Sequence, residues 1–317
     1  KVEFEVEVLE WEVDGEDVVL RALPNTTAEY AAFRSLDCFE ISVFNDMIGL
    51  DPIHPLSELS EFVAQWGSDR FYTDEYARFI GLPEEQARML LIGLTNFGYV
   101  DLDLATRFCV IKPRAERHMK CRKGVVDHDV LAFYSKPTGD INAVLNLKDK
   151  LLNMEGIAQI QVSQAQEVYI RPRGGQLALS KNRNFTFDGE VEAGRFNLKG
   201  NDFRFEYDQF QIGVNQASCR IKVERSEEFD VRGNPVLTWI RTPIEEVTGT
   251  LEIDNPKNMS GWKSDFFTQY PILTSTEESY VYYDAPTTQQ GAYHRDRFNY
   301  AVEPFVIDSL DNFSNKD

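Results

Sequence analysis

Residues 185–212 read FTFDGEVEAGRFNLKGNDFRFEYDQFQI. Aromatic and aliphatic residues alternate with polar ones through most of this run, and Gly189, Gly194 and Gly200 interrupt it. A period of two sends successive side chains to opposite faces of a strand. Each strand therefore offers one apolar face, too narrow to be buried without neighbours. Stacking such units makes a continuous core, driven by apolar burial at about 25 cal/mol per Å².

The same texture extends on both sides. From about Val126 the strand-sized runs are DVLAFYS, AVLNL, IAQIQVS, EVYIRP and QLALS, and later CRIKVER, PVLTWIRT, TGTLEID, SYVYYD and FNYAVEPFVI. Short strands with tight turns suit a parallel β-solenoid or an antiparallel β-sandwich. The solenoid is the preferred expectation for about residues 140–225, because Gly189, Ala193, Gly194 and Gly200 fall where corners would lie, although no strict repeat length emerges.

Upstream, VEFEVEVLEWEVDGEDVVLRAL reads as a β-hairpin turning at Asp14-Gly15. Val2, Phe4, Val6 and Val8 share a face, a one-residue slip before Leu9 suggests a bulge, and the outer glutamates would blunt an edge. Between Pro55 and Pro113 the period changes. PLSELSEFVAQWG is helical and ends at Gly67; Thr73 caps TDEYARFIG; Pro83 opens PEEQARMLLIGLTNFGY, which Gly98 closes. A hairpin, YVDLDLATRFCVIKP, follows. Three helices and then a hairpin predict a winged-helix-like module. The expected class is thus α+β and predominantly β, in four parts: an N-terminal β segment (1–50), the winged-helix-like module (51–125), a β-rich solenoid or sandwich region (126–230) and an irregular β-rich tail (231–317).

The 317 residues are 42% hydrophobic and 27% charged, which marks a globular chain. Acidic residues outnumber basic ones 52 to 33, a net charge of −19, so nucleic acid and acidic membranes are poor partners. The module argues the same way. From Leu56 to Gly98 seven acids face three bases, and Arg88 is the one base on the helix that would read DNA. A basic run, Lys112 to Gly124, holds six bases and Glu116; it reads as a segment that docks on the acidic remainder of the protein, or else as a patch for an anionic partner. No apolar run is long enough to span a bilayer. The start at Lys1 and the tail DNFSNKD read as those of a piece cut from a longer chain.

Chemistry is not gathered in any motif. Cys38, Cys109, Cys121 and Cys219 form no CxxC pair and read as buried thiols. Asp127-His128-Asp129, with His118 and Cys121 nearby, lacks the paired spacing of a zinc site, and Asp202, Glu206 and Asp208 lack a calcium loop. There is no GxSxG, P-loop or GxGxxG. No catalytic, cofactor-binding or metal-binding residue is assigned, and no cofactor is expected. Tyr280 and Tyr282 share a strand face, and with Trp239 and Trp262 they are the residues on which a sugar-binding reading would rest.

NRNFTFDGEVEAGRFNLKGNDFRFEYDQF, TGTLEIDNPKNMSG, YPILTSTEESYVYYD and VEPFVIDSLDNF, with HPLSELSEFVAQ, NAVLNL and EVYIRP, resemble segments of very large, functionally uncharacterised exported cell-envelope proteins of Bacteroidetes. The resemblance implies export to the periplasm, outer membrane or cell surface, and a chain far longer than 317 residues. Asp308-Ser309-Leu310 is similar to the O-glycosylation acceptor of such proteins; the sequons at Asn25, Asn184, Asn258 and Asn312 carry less weight. The functional expectation is a non-enzymatic scaffolding or docking segment whose partners are other envelope proteins and the rest of its own chain. The alternative is a carbohydrate-binding or carbohydrate-active protein.

Overall fold

The computed structural model describes residues 2–23, 30–48, 53–136, 139–233, 235–284 and 293–310. Strand outweighs helix, 42% to 20%, so the chain is α+β and predominantly β. It divides into two compact units, one made of residues 1–38 and 129–317 and the other of residues 39–128.

The first unit begins with β1 (Val2–Glu5), β2 (Val8–Trp11), β3 (Asp17–Arg21) and β4 (Ala31–Ser35). The second supplies α1 (Ile41–Asp46), α2 (Pro55–Trp66), β5 (Arg70–Tyr72), α3 (Thr73–Ile80), α4 (Glu84–Asn96), β6 (Val100–Asp103), β7 (Phe108–Ile111) and α5 (Pro113–Arg122). The first unit then resumes with β8 (Ala132–Ser135), β9 (Ala143–Asn146), β10 (Leu151–Met154), β11 (Ile160–Ser163), β12 (Val168–Pro172), β13 (Leu177–Leu179), β14 (Phe185–Ala193), β15 (Phe196–Glu206) and β16 (Gln211–Phe229). It closes with β17 (Pro235–Trp239), β18 (Ile244–Glu252), β19 (Ile272–Ser275), β20 (Ser279–Tyr282), β21 (Asn299–Val302) and β22 (Val306–Ile307).

One path of pairing runs β2–β3–β9–β10–β13–β14–β15–β16–β18–β19–β22. Neighbours along it are antiparallel. This corrects the parallel solenoid expected for 140–225 and is the pairing that a sandwich would need. The physical reason lies in the connections. Ala193 pairs with Phe196 and Glu206 with Gln211, so two- and four-residue turns return the chain at once, and parallel neighbours need a far longer crossover. The strands are also longer than the sequence suggested: β14, β15 and β16 have 9, 11 and 19 residues.

Gly194 does sit in a turn, at φ +51°, but Gly189 and Gly200 are not corners. They face each other across β14 and β15. A Cβ on Gly189 would lie 2.2 Å from the Arg171 carbonyl oxygen, so the missing side chain is what lets β12 close on β14. Around this point the apolar faces line up. Phe185 stacks on Phe205 at 4.6 Å and Phe187 on Phe203 at 5.2 Å, all four buried, in a core that also takes in Val191, Leu198, Ile212 and Ile221.

The N-terminal segment pairs with strands that lie far along the chain. β3 pairs with β9, and β1 and β8 flank β4 in a three-stranded sheet. The slip in its alternation marks no bulge: the chain leaves the sheet of β1 at Val6 and enters the long sheet at Val8. Two of its glutamates hold arginines, Glu5 with Arg34 at 2.9 Å and Glu10 with Arg21 at 3.0 Å.

In the second unit the sheet order is β5–β7–β6. Gly67 and Gly81 end α2 and α3 in left-handed conformations, as the sequence suggests. Thr73 is the first helical residue of α3 rather than its cap; its hydroxyl donates to the Arg107 carbonyl at 3.1 Å, while the Glu75 carboxylate accepts from the Tyr72 amide at 2.7 Å. The core joins Phe39, Phe44, Leu59, Phe62, Phe71, Tyr76, Leu91 and Cys109. Phe62 gathers Phe71, Tyr76 and Phe79 edge-on at 4.8–5.4 Å.

Candidate functional site

Within the second unit, α2 and α5 leave a groove of about 470 Å³ between them, a volume in the range of ligand-sized clefts. The α2 side comes from Leu56, Leu59, Ser60 and Val63, the i, i+3, i+4, i+7 set that shares one helix face. α5 contributes Ala115 and Met119 to the apolar floor, joined by Ile111 from β7. Along its outer edge run Lys112, Glu116, Lys120 and Lys123, spaced four, four and three. Lys120 pairs with Glu116 at 2.6 Å, whereas Lys112 and Lys123 are exposed and make no ion pair among the described residues. The slot is therefore apolar at its base and carries Lys112, Lys120 and Lys123 with the acids Glu116 and Asp69 in its lining; the Asp69 carbonyl accepts from the Ile111 amide at 2.9 Å.

His54 fixes the start of α2. Its Nδ1 accepts from the Leu56 amide at 3.1 Å, so Nε2 carries the proton and donates to the Phe44 carbonyl at 2.7 Å. The ring stacks on Phe44 at 3.9 Å. Burial, and then the Arg122 charge, lower its pKa, against the Phe44 bond, which raises it. His128 is lowered as well, by burial first.

A second concentration of polar atoms lies inside the first unit. Asp129 is fully buried. Its carboxylate accepts from Ser35 Oγ at 2.7 Å, from the Tyr207 hydroxyl at 2.7 Å and from the Leu131 amide at 3.0 Å. The Arg183 guanidinium lies 3.5 Å from that carboxylate, covers the Tyr207 ring at 3.5 Å and donates to Asp37 at 2.6 Å. Burial pushes the Asp129 carboxyl up from its ordinary value, and the donors and Arg183 oppose that rise. Asn182 and Arg183 hold left-handed backbone, φ 60° and 64°, which brings the guanidinium to this place. With its lone pairs filled from inside the protein, the cluster works as a buried tie between β4, β15 and their neighbours.

The residues singled out from the sequence mostly go elsewhere. His118 and His128 both meet the Phe39 ring edge-on, at 5.1 and 4.9 Å, and Tyr99 hydrogen-bonds His118 Nδ1 at 2.9 Å; Asp129 is taken by the network above. Asp202 pairs with Arg204, Asp208 accepts from Asn182 and Glu206 from Gln211. Among the described residues no group of three His, Cys, Asp or Glu side chains is placed to hold a metal ion. The four cysteines are buried and unbridged, with burial raising Cys109 to about 11 and Cys219 to about 12, so both stay as thiols.

Tyr280 and Tyr282 do share a face, but their rings stack on each other at 5.8 Å and Arg295 covers Tyr282 at 4.2 Å. Their hydroxyls donate to Glu278 and Glu246. A sugar ring needs an uncovered aromatic face, and the Arg295 guanidinium occupies one face of Tyr282. On α4, Arg88 is bound by Glu85 at 2.5 Å and Glu84 by Arg107 at 2.6 Å. Ser309 Oγ donates to the Tyr270 carbonyl at 2.7 Å, and Asn258 is buried with its amide on Asp254. Asn25 and Asn312 lie outside the described residues. No helix among the described residues is long and apolar enough to cross a membrane.

The sequence carried a signal for the groove that its reading did not join up. The apolar stripe of α2 and the basic run of α5 were both visible, 50 residues apart, but nothing in one chain says that they lie side by side. The Asp129 network had no signal at all, since Ser35, Asp129, Arg183 and Tyr207 are scattered singly through the sequence. None of the family models, curated proteins or solved structures compared with the chain matches it.

Proposed function

We propose that this chain is a non-enzymatic docking segment of a large exported envelope protein of the kind it resembles, working in the periplasm, the outer membrane or at the cell surface. The observation that supports docking most strongly is the groove between α2 and α5, an apolar slot with a lysine rim on a chain of net charge −19. In this reading residues 39–128 are a winged-helix-like module used for protein contact. The element order from α2 to β7 and the sheet order β5–β7–β6 favour it, and the paired acids at the front of α4 disfavour DNA. The long antiparallel sheet supplies a rigid body on which to carry such a module. Its partners would be other envelope proteins or distant parts of the same chain.

The test is affinity purification of the full-length protein from its native envelope, with and without residues 39–128. Loss of a stoichiometric copurifying protein on deletion is the expected result. An unchanged set of copurifying proteins rejects docking through this module.

A further inference from the structure

We infer that the α2/α5 groove takes one occupant class, an amphipathic helix of about three turns with acidic residues along one flank. The inference rests on the docking reading above and adds the partner's chemistry to it. Length comes first. Lys112 to Lys123 follow α5 for its ten residues, about 15 Å at 1.5 Å per residue, which is three turns of a helix laid alongside. Shape comes second: half-buried Val63, Ile111 and Met119 present the accessible apolar surface, over a base closed by buried Leu56 and Leu59, to the apolar face of a helix, as in other helix-in-groove contacts.

Charge decides the flank. Lys112 and Lys123 are exposed cations with no ion-pair partner among the described residues, one near each end of the edge. Between them Lys120 is already neutralised by Glu116. An occupant with Asp or Glu about three turns apart would pair with both free lysines and keep its apolar face on Met119 and Val63. A basic occupant would face the two lysines in a repulsive arrangement, which is how such rims exclude wrong partners.

The experiment uses the whole chain and a labelled, helix-stapled peptide with leucines at i, i+3, i+4 and i+7 and glutamates on one flank. A second peptide carries lysines in place of the glutamates. Fluorescence anisotropy at low salt should show saturable binding of the glutamate peptide and at least tenfold weaker binding of the lysine peptide. K112E/K123E, both at exposed positions, should leave the circular dichroism unchanged, weaken the glutamate peptide about tenfold and strengthen the lysine peptide. Equal binding of the two peptides, or none, overturns the inference. So does binding to vesicles of anionic phospholipid when the glutamate peptide fails, which would make the rim a lipid contact. Envelope purification of K112E/K123E separates the two levels. If its copurifying protein is lost although the glutamate peptide never bound, docking stands and the acidic helix falls.

Discussion

Gly189 shows what one missing atom does in this sheet. Its backbone has φ +149° and its absent Cβ would sit 2.2 Å from the Arg171 carbonyl oxygen, a rigid neighbour. Gly200 opposite has no positive φ and would meet Ala217 Cβ at 3.1 Å, the Phe203 ring edge at 3.2 Å and Ala217 Cα at 3.3 Å, wider gaps than at Gly189. Gly189→Ala is therefore expected to cost roughly 3 kcal/mol or more and Gly200→Ala clearly less, read from urea midpoints; the reverse order would contradict this account. The sequence showed both glycines but not their use, because Arg171 is brought to Gly189 only by strand pairing. The Asp129 tie makes a second prediction. Tyr207→Phe removes one of three donors to a buried carboxylate and should destabilise the chain by about 1.5–3 kcal/mol; a change within experimental error would contradict the role of this bond as a tie.

At the scale of elements, α2 carries a pH-dependent cap. The His54 pKa is lowered on folding, so below its unfolded value of 6.5 the unfolded chain binds more protons. The stability from this group is complete above pH 6.5 and is lost as pH falls through the lower folded value. His54→Asn keeps a capping acceptor without the titration. The wild type should exceed this variant in stability at pH 7.5, by about 1 kcal/mol or less, and the gap should close or invert by pH 5.5; a gap that widens on acidification would rule the cap out. The element ends were legible where a local residue sets them: Gly67, Gly81 and Gly98 close their helices, whereas the turn after β2 centres on Val13-Asp14, one residue before the expected Asp14-Gly15, with the Gly15 amide donating to the Glu12 carbonyl. Strand direction and length were not legible. Alternation looks the same in a parallel and an antiparallel neighbour, and it continues through a glycine that is a contact rather than a corner.

For the whole molecule, the topology predicts independence. Cys38 and Asp129 form a β-bridge, and the Asp129 amide donates to the Asp37 carbonyl at 3.2 Å, so both ends of the inserted unit leave the first unit from one point. Replacing residues 39–128 by a short Gly-Ser linker should leave a folded β protein that unfolds cooperatively; collapse of its β circular dichroism would contradict the division. The sequence revealed the helical texture of this insertion but not that strands before and after it pair with one another in two sheets, since β3–β9 and β4–β8 pairing spans about a hundred residues. The central claim about the fold is that β14, β15 and β16 form the stiff centre of the first unit, bound by the inward phenylalanine ladder. Native-state amide hydrogen exchange measures this most directly. The account predicts that amides of residues 185–222 exchange slowest in the chain and together, through one opening; fast exchange there, or separate opening of each strand, would contradict it.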